Sequence, residues 1–263
     1  MNRIDQRFGK LRREKKKAFI AFITCGDPNL AITYRLALEF DRLGVDVLEL
    51  GVPFSDPLAD GPTIQAASQR ALKAGINLTD VFRLVRNLRK KTGMPIVLLT
   101  YCNIIYHFGL NDFVKGASLS GVDGVIVADL PVEEAKGLIK AARRAKLATI
   151  FLAAPTSDAQ RIEKIASNSS GFIYYVSLTG ITGARKSLPG ELLTKVRTIK
   201  RITSKPVCVG FGISNPKQAK LVASVADGVI VGSAIIKVIE KNLGRRDLVA
   251  KVAKFARRLK QAI

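Results

Sequence analysis

Apolar residues come along this chain in short unbroken runs, and longer polar stretches with a helical repeat separate them. Eight runs stand out, at residues 19–25, 45–52, 96–101, 125–130, 149–153, 172–178, 207–210 and 229–231. They are rich in Val and Ile and do not alternate with polar residues, the pattern of strands buried on both faces of a parallel sheet. Between them, apolar positions recur at spacings of three and four. Leu36 and Phe40 form one such set; Val81, Leu84, Val85 and Leu88 another; Leu192, Leu193, Val196 and Ile199 a third. Helix starts are legible at Asp27-Pro28-Asn29, at Thr79 and Asp80, at Pro131 with Glu133 and Glu134, at Ser157-Asp158, at Pro189 and at Asn215-Pro216. Gly44-Val45-Asp46, Gly121-Val122-Asp123 and Ala226-Asp227-Gly228 precede the second, fourth and eighth runs and suit tight helix-to-strand turns.

Eight strand–helix alternations predict an α/β fold, a (β/α)8 TIM barrel formed by one domain over residues 1–263. A doubly wound open sheet has the same alternation. The strand count favours the barrel, and so does the first turn, Thr24-Cys25-Gly26-Asp27-Pro28, which lacks the GxGxxG of a dinucleotide site. Two extra helices are expected: an N-terminal amphipathic one with Ile4, Phe8 and Leu11 on the domain surface, and a short one from Ala234 after the eighth strand.

Composition narrows the picture. The hydrophobic share of 48% is enough for a well-filled core. No apolar run approaches a membrane span, and the basic N-terminus has neither the apolar core nor the cleavage site of a secretory signal. Cys25, Cys102 and Cys208 are odd in number, form no CxxC pair and sit in or beside apolar runs. They read as reduced core thiols, which points to the cytoplasm. The single histidine, His107, is expected in a loop and has no second histidine with which to build a metal site. The net charge of +22 invites nucleic acid or acidic membrane surfaces. The basic residues are dispersed over the polar sides of the expected helices, however, which argues for solvated faces instead.

The candidate chemistry centres on residues 47–65, VLELGVPFSDPLADGPTIQ. Glu49 lies near the end of an apolar strand, where a carboxylate must be exposed, paired or working. Asp56 and Asp60 follow on the next loop. Taken alone, these acids fit a structural reading as well as a catalytic one. The late loops add a second feature, because glycines and a helix N-terminus can converge on a phosphate. Gly212 follows the seventh strand, and Gly232-Ser233 follow the eighth. The Gly/Thr-rich segment 179–185, after the sixth, can serve as a lid. No lysine lies in a strand interior, which disfavours imine chemistry. Acid–base work by Glu49 and Asp60 on a phosphorylated substrate remains, with no metal expected.

The motif LELGVPFSDPLADGPTIQ, with AFITCGDP before it and TGITGAR, GFGIS and VGSAI after it, closely resembles the tryptophan synthase α-chain family along essentially the whole chain. The resemblance implies cleavage of indole-3-glycerol phosphate to indole and glyceraldehyde 3-phosphate. It implies no cofactor in this chain, a β-chain partner that carries pyridoxal phosphate, and an α2β2 tetramer. Glu49 then matches the general acid–base, and Asp60 the group that binds the indole nitrogen. Tyr174 matches a tyrosine beside Glu49; Phe22, Leu99 and Phe211 match the indole pocket. Gly183, Gly212, Gly232 and Ser233 match the phosphate site, Thr182 the lid, and Pro53 and Asp56 the β-chain contact. Burial would raise the pKa of Glu49, whereas Asp60, on a wetter loop, would stay charged. The chain departs from the family's usual pattern at Ala21, where proline is common, and in its charge. A free-standing lyase of the same family and a barrel recruited to bind nucleic acid are the other readings.

Overall fold

A computed structural model describes residues 2–176, 189–210 and 212–263. Among them nine parallel strands form one sheet: β1 (Ala18–Thr24), β2 (Val47–Gly51), β3 (Ile96–Thr100), β4 (Gly124–Val127), β5 (Ala148–Ile150), β6 (Leu152–Ala153), β7 (Ile173–Val176), β8 (Val207–Gly210) and β9 (Gly228–Val231). Each of the eight apolar runs contains a strand, and the fifth contains two. The strand order is β5-β4-β3-β2-β1-β9-β8-β7-β6, so the two ends of the sheet are β5 and β6, one residue apart in the chain. The fifth run bends at Phe151. Its first half pairs with β4 and its second with β7, and Tyr174 N–H donates to the Phe151 carbonyl at 3.1 Å. The chain itself closes the TIM barrel, and the seventh and eighth runs are β8 and β9.

The helices before β4 are α1 (Arg3–Arg13), α2 (Leu30–Arg42), α3 (Pro62–Lys73), α4 (Leu78–Arg89), α5 (Cys102–Phe108) and α6 (Leu110–Ser120). After β4 come α7 (Lys136–Arg144), α8 (Ala159–Asn168), α9 (Pro189–Ile202), α10 (Pro216–Ala223), α11 (Ser233–Glu240) and α12 (Leu248–Lys260). Asn29, Asp158 and Asn215 cap α2, α8 and α10 at the expected places. Three boundaries differ from expectation. Asn77, not Thr79, caps α4, in a capping box with Asp80. A turn over residues 132–135 separates Pro131 from α7. His107 lies in α5, because the stretch expected to be a loop forms two short helices broken at Gly109, whose φ of 88° few other residues adopt.

Side chains alternate across each strand, so one set faces the helices and one fills the barrel. The inner set includes Ala18, Ile20, Val47, Val97, Ile126, Ile150, Phe172, Tyr174, Cys208 and Ile230. Ile4, Phe8 and Leu11 of α1 belong to that same cluster, with the Phe8 and Phe172 rings 5.7 Å apart. The N-terminal helix is therefore a plug under the barrel, with only its polar side at the surface. Glycines at Gly124 and Gly171 leave the room that Ile4 occupies.

The three turn aspartates do more than end a helix. Asp46 accepts the Phe19 N–H at 2.8 Å, Asp123 the Ile96 N–H at 2.9 Å, and Asp227 the Val207 N–H at 3.0 Å. Each carboxylate thus ties the start of the preceding strand to the start of its own. Each also meets a cation: Lys260 at Asp46, Arg3 and Arg89 at Asp123, and Lys200 at Asp227. Asp46 and Asp123 are buried, and these cations offset the cost of taking their carboxylates out of water.

Candidate active site

The C-terminal ends of the strands bring the candidate residues to one rim, where barrels of this type hold their sites. Glu49 is the third residue of β2 and shares its face with Val47, so it points into the barrel. It is 2% exposed, and its Oε2 has no hydrogen-bond partner. Burial, reinforced by the nearby charge of Asp60, pushes its pKa up to about 8. A carboxyl group in this position holds its proton at neutral pH.

Phe22 is the cross-strand partner of Glu49. Its ring lies over two glycines. A side-chain carbon added at Gly51 would come within 2.8 Å of the ring, and one at Gly232 within 3.2 Å. Gly51 and Gly232 are small because this ring passes between β2 and the start of α11. Leu99, the neighbour of Gly51 across β3, is half-buried and packs against the inner cluster.

Asp60 ends the loop that leads into α3. It is buried rather than wet, at 6% exposed, contrary to the expectation from its loop position. The loop folds back over the barrel, with Asp60 N–H donating to the Pro57 carbonyl at 2.9 Å and Gln65 Nε2 to the Asp60 carbonyl at 2.9 Å. Burial raises the Asp60 pKa to about 6, opposed by the Tyr101 hydroxyl that donates to its Oδ2 at 2.9 Å. A group titrating near 6 is mostly ionised at pH 7, so the two carboxyls carry different charges in one site. In the sequence Tyr101 is only the last residue of the third apolar run, and Phe54, stacked on its ring at 4.9 Å, gives no signal beyond its apolarity.

Tyr174 stands on β7 inside the barrel, and burial and the charges of Glu49 and Asp60 raise its pKa. Its hydroxyl lies over Gly210, where an added carbon would come within 2.5 Å. At the same rim, Gly232 precedes α11 and Ser233 begins it, and no side chain caps this helix start. Its free N–H groups and dipole favour an anion. Gly212 has a φ of 77°, which a turn after β8 can take only at small cost with glycine. Thr182, Gly183 and Phe211 lie outside the described residues.

On the outer side of the loop after β2, Asp56 is exposed and accepts a hydrogen bond from Ser55 Oγ. Pro53 is buried, while Ser55, Asp56, the apolar Leu58 and Ala59 are exposed on this loop. Asp129 accepts the Cys102 N–H at 2.7 Å, at the start of α5. Among the described residues no group of three or more His, Cys, Asp or Glu side chains could hold a metal ion. None of their helices is long and apolar enough to cross a membrane.

The chain matches a known family. The sequence model of the family described as tryptophan synthase alpha chain fits residues 8–263. The chain belongs to that family. A tryptophan synthase alpha chain of Geotalea daltonii is 50% identical over 263 residues, covering 100% of this chain and 99% of the relative. The crystal structure of tryptophan synthase subunit alpha from Legionella pneumophila is 40% identical, with a TM-score of 0.94 over 100% of this chain and 98% of that one. A chain from a structure of the tryptophan synthase α2β2 complex of Pyrococcus furiosus, described in terms of mutual activation, is 41% identical with a TM-score of 0.85. That match covers 92% of this chain and 97% of the other. Members of the tryptophan synthase alpha chain family catalyse a carbon–carbon lyase half-reaction, and the barrel described here is the family's fold.

Proposed function

We propose that this chain is the α subunit of a two-subunit tryptophan synthase and that Glu49 and Asp60 carry its lyase chemistry. The reaction is a retro-aldol cleavage of indole-3-glycerol phosphate to indole and glyceraldehyde 3-phosphate. The observation that carries the residue assignment is the pairing of a proton-holding Glu49, its Oε2 unpartnered, with an ionised Asp60, both buried at the same rim of the barrel.

Indole is a poor leaving group until its C3 is protonated. Glu49 gives its proton to that carbon, and the ring becomes a cationic indolenine. The Asp60 carboxylate accepts the indole N–H and offsets the positive charge. The glycerol hydroxyl on the adjacent carbon then loses its proton to the Glu49 carboxylate. The C–C bond breaks, its electrons restore the indole ring, and the hydroxyl-bearing carbon becomes the aldehyde. Glu49 ends protonated, ready for the next cycle. Phe22 and Leu99 form walls against the indole ring, and Phe211 keeps the pocket role that the family resemblance implies. Tyr174 sits beside Glu49 and limits where its carboxyl can turn. Gly212, Gly232 and Ser233 present N–H groups to the phosphate; Gly183 and Thr182 keep the phosphate-site and lid roles that the family resemblance implies.

The whole chain, residues 1–263, acts as one barrel domain in this reading. Its partner is a tryptophan synthase β chain, which receives the indole for tryptophan synthesis and brings the pyridoxal phosphate; this chain needs no cofactor of its own. Asp56 and the exposed Leu58 lie on the loop that would meet it. Three free thiols, two of them buried, suit a cytoplasmic enzyme. The test is release of indole from indole-3-glycerol phosphate by the purified chain, alone and mixed with a β chain. Turnover that rises on mixing is expected. No indole from either sample would refute the proposal, and full activity without the β chain would remove the partner from it.

A further inference from the structure

The lyase site makes no use of the chain's positive charge, and the fold gives part of that charge a place. Barrel helices run back against the strands, so their C-terminal turns gather at the end opposite the catalytic rim. Nine of the described helices carry Lys or Arg in the last turn. Cations there suit the helix dipoles. Three of the nine, α1, α2 and α12, direct last-turn cations into one concavity.

That concavity, of about 680 Å³, lies between the plug helix α1 and the C-terminal turns of α2 and α12. Arg7 and Lys10 of α1 line it, with Lys16 and Lys17 just beyond. Arg42 from the end of α2 and Arg257 and Lys260 from α12 complete the set. Against seven cations the lining has two acids, Glu14 and Asp46, and two more just outside it, Glu39 on Arg42 and Asp227 on Lys17, leave an excess of three charges. The acids position cations more than they cancel them. Asp46 is 2% exposed and fixed by the Phe19 N–H, and it holds Lys260 Nζ at 2.8 Å with Arg7 Nη1 at 3.7 Å. Glu14 holds Lys16 at 3.0 Å and Lys10 at 3.8 Å.

We propose that this concavity is a binding site for a small oligophosphate anion, separate from the phosphate loops of the catalytic rim. Its volume is in the range of about 300–1,000 Å³ that suits one small ligand. Its charge excess matches an anion with three or more negative charges. No aromatic side chain lines it, so it offers no platform for stacked bases. A nucleic acid would call for such a platform and for a groove that tracks its backbone.

Inorganic triphosphate is the probe, titrated by calorimetry into the full chain at low salt. One equivalent is expected to bind, with or without saturating glycerol 3-phosphate to occupy the catalytic rim. The double variant Lys10→Ala/Arg257→Ala, still active as a lyase, is expected to bind about tenfold more weakly or worse, because each lost cation is a lost phosphate contact. The control Lys115→Ala/Lys140→Ala, two cations on the outer walls of α6 and α7, is expected to bind as the parent does. Equal weakening in the control would reduce the effect to overall charge. Loss of binding with glycerol phosphate would assign it to the catalytic rim. Single-stranded RNA binding more tightly than triphosphate, and lost in the double variant, would replace the small anion with nucleic acid. Any of these overturns the proposal.

Discussion

The Tyr101 hydroxyl donates to Asp60 Oδ2 at 2.9 Å, at a site where Asp60 is 6% exposed. This bond opposes the burial that raises the Asp60 pKa to about 6, and so keeps the group ionised at neutral pH. Tyr101→Phe removes the donor and leaves the shape. A hydrogen bond to a charged group is worth about 1.5–3 kcal/mol, or about one to two pKa units. The carboxylate should become harder to ionise, so the acid limb of kcat/KM should move to higher pH by about one unit. A limb left in place would show that Asp60 does not depend on Tyr101.

The native enzyme should itself have a bell-shaped kcat/KM profile. Glu49 must be protonated to act and Asp60 must be ionised. Activity is then lost as pH falls through about 6 and as it rises through about 8. The two groups interact, so the limbs report the pair. A flat profile over this range would contradict the division of charge between them.

Glu49 also couples function to stability. Its folded pKa is raised, so between pH 4.5 and about 8 the folded chain binds the proton and the unfolded chain does not. Stability attributable to this group therefore falls as pH rises through that window. Glu49→Gln removes the penalty. At pH 9 the variant should be more stable than the parent by an amount on the order of a few kcal/mol, and at pH 4 the difference should vanish. Thermal melts of both proteins across this range make the comparison. A parent protein as stable as the variant at pH 9 would mean that Glu49 ionises at little cost.

Gly210→Ala tests the seat of Tyr174. The added methyl would come within 2.5 Å of the tyrosine hydroxyl, too close for either to stay. Tyr174 fills the barrel beside Glu49 and must shift, so lyase activity should fall at least about tenfold while the fold persists, the cost of a slightly misplaced site. Gly210→Ala/Tyr174→Phe removes the oxygen but leaves two ring carbons within 2.7 and 2.8 Å of the methyl, so it should recover little of the loss. Unchanged activity in the single variant would show that the barrel yields at no cost.

Asp27 is fully buried and takes a bidentate ion pair from Arg70 of α3, at 2.7 and 2.9 Å, while Arg70 also reaches Glu240 of α11 at 3.4 Å. One guanidinium thus joins the helix that follows Asp60 to the helix that begins at Ser233. Asp27→Ala should cost about 3–5 kcal/mol of stability, the usual cost of breaking a buried pair. It should also raise KM for the phosphorylated substrate, because Arg70, which links α3 to α11, loses the carboxylate that fixes it. A melting temperature near that of the parent would place the pair among weak surface bridges.

The barrel was legible because strands buried on both faces leave unbroken Val and Ile runs, and each of the eight runs holds a strand. The split at Phe151 was not, since a bend between two pairings leaves the run just as apolar. Glu49 could be singled out as a carboxylate in an apolar strand. The burial of Asp60 could not, because it depends on a loop folding back over the barrel. The clamps made by Asp46, Asp123 and Asp227 read as ordinary turn residues; their partners lie 20 to 27 residues away in the chain. The plug formed by α1 was visible as an amphipathic face, but the sequence did not say which surface Ile4 and Phe8 would cover.

The most direct test of the account is lyase turnover by Glu49→Gln. Indole release from indole-3-glycerol phosphate, in the presence of a β chain, is measured for parent and variant, and circular dichroism checks that both are folded. Removing a positioned proton carrier should cost at least about 100-fold in kcat. Turnover in the folded variant within a factor of a few of the parent would contradict the assignment of Glu49 as the group that moves the proton.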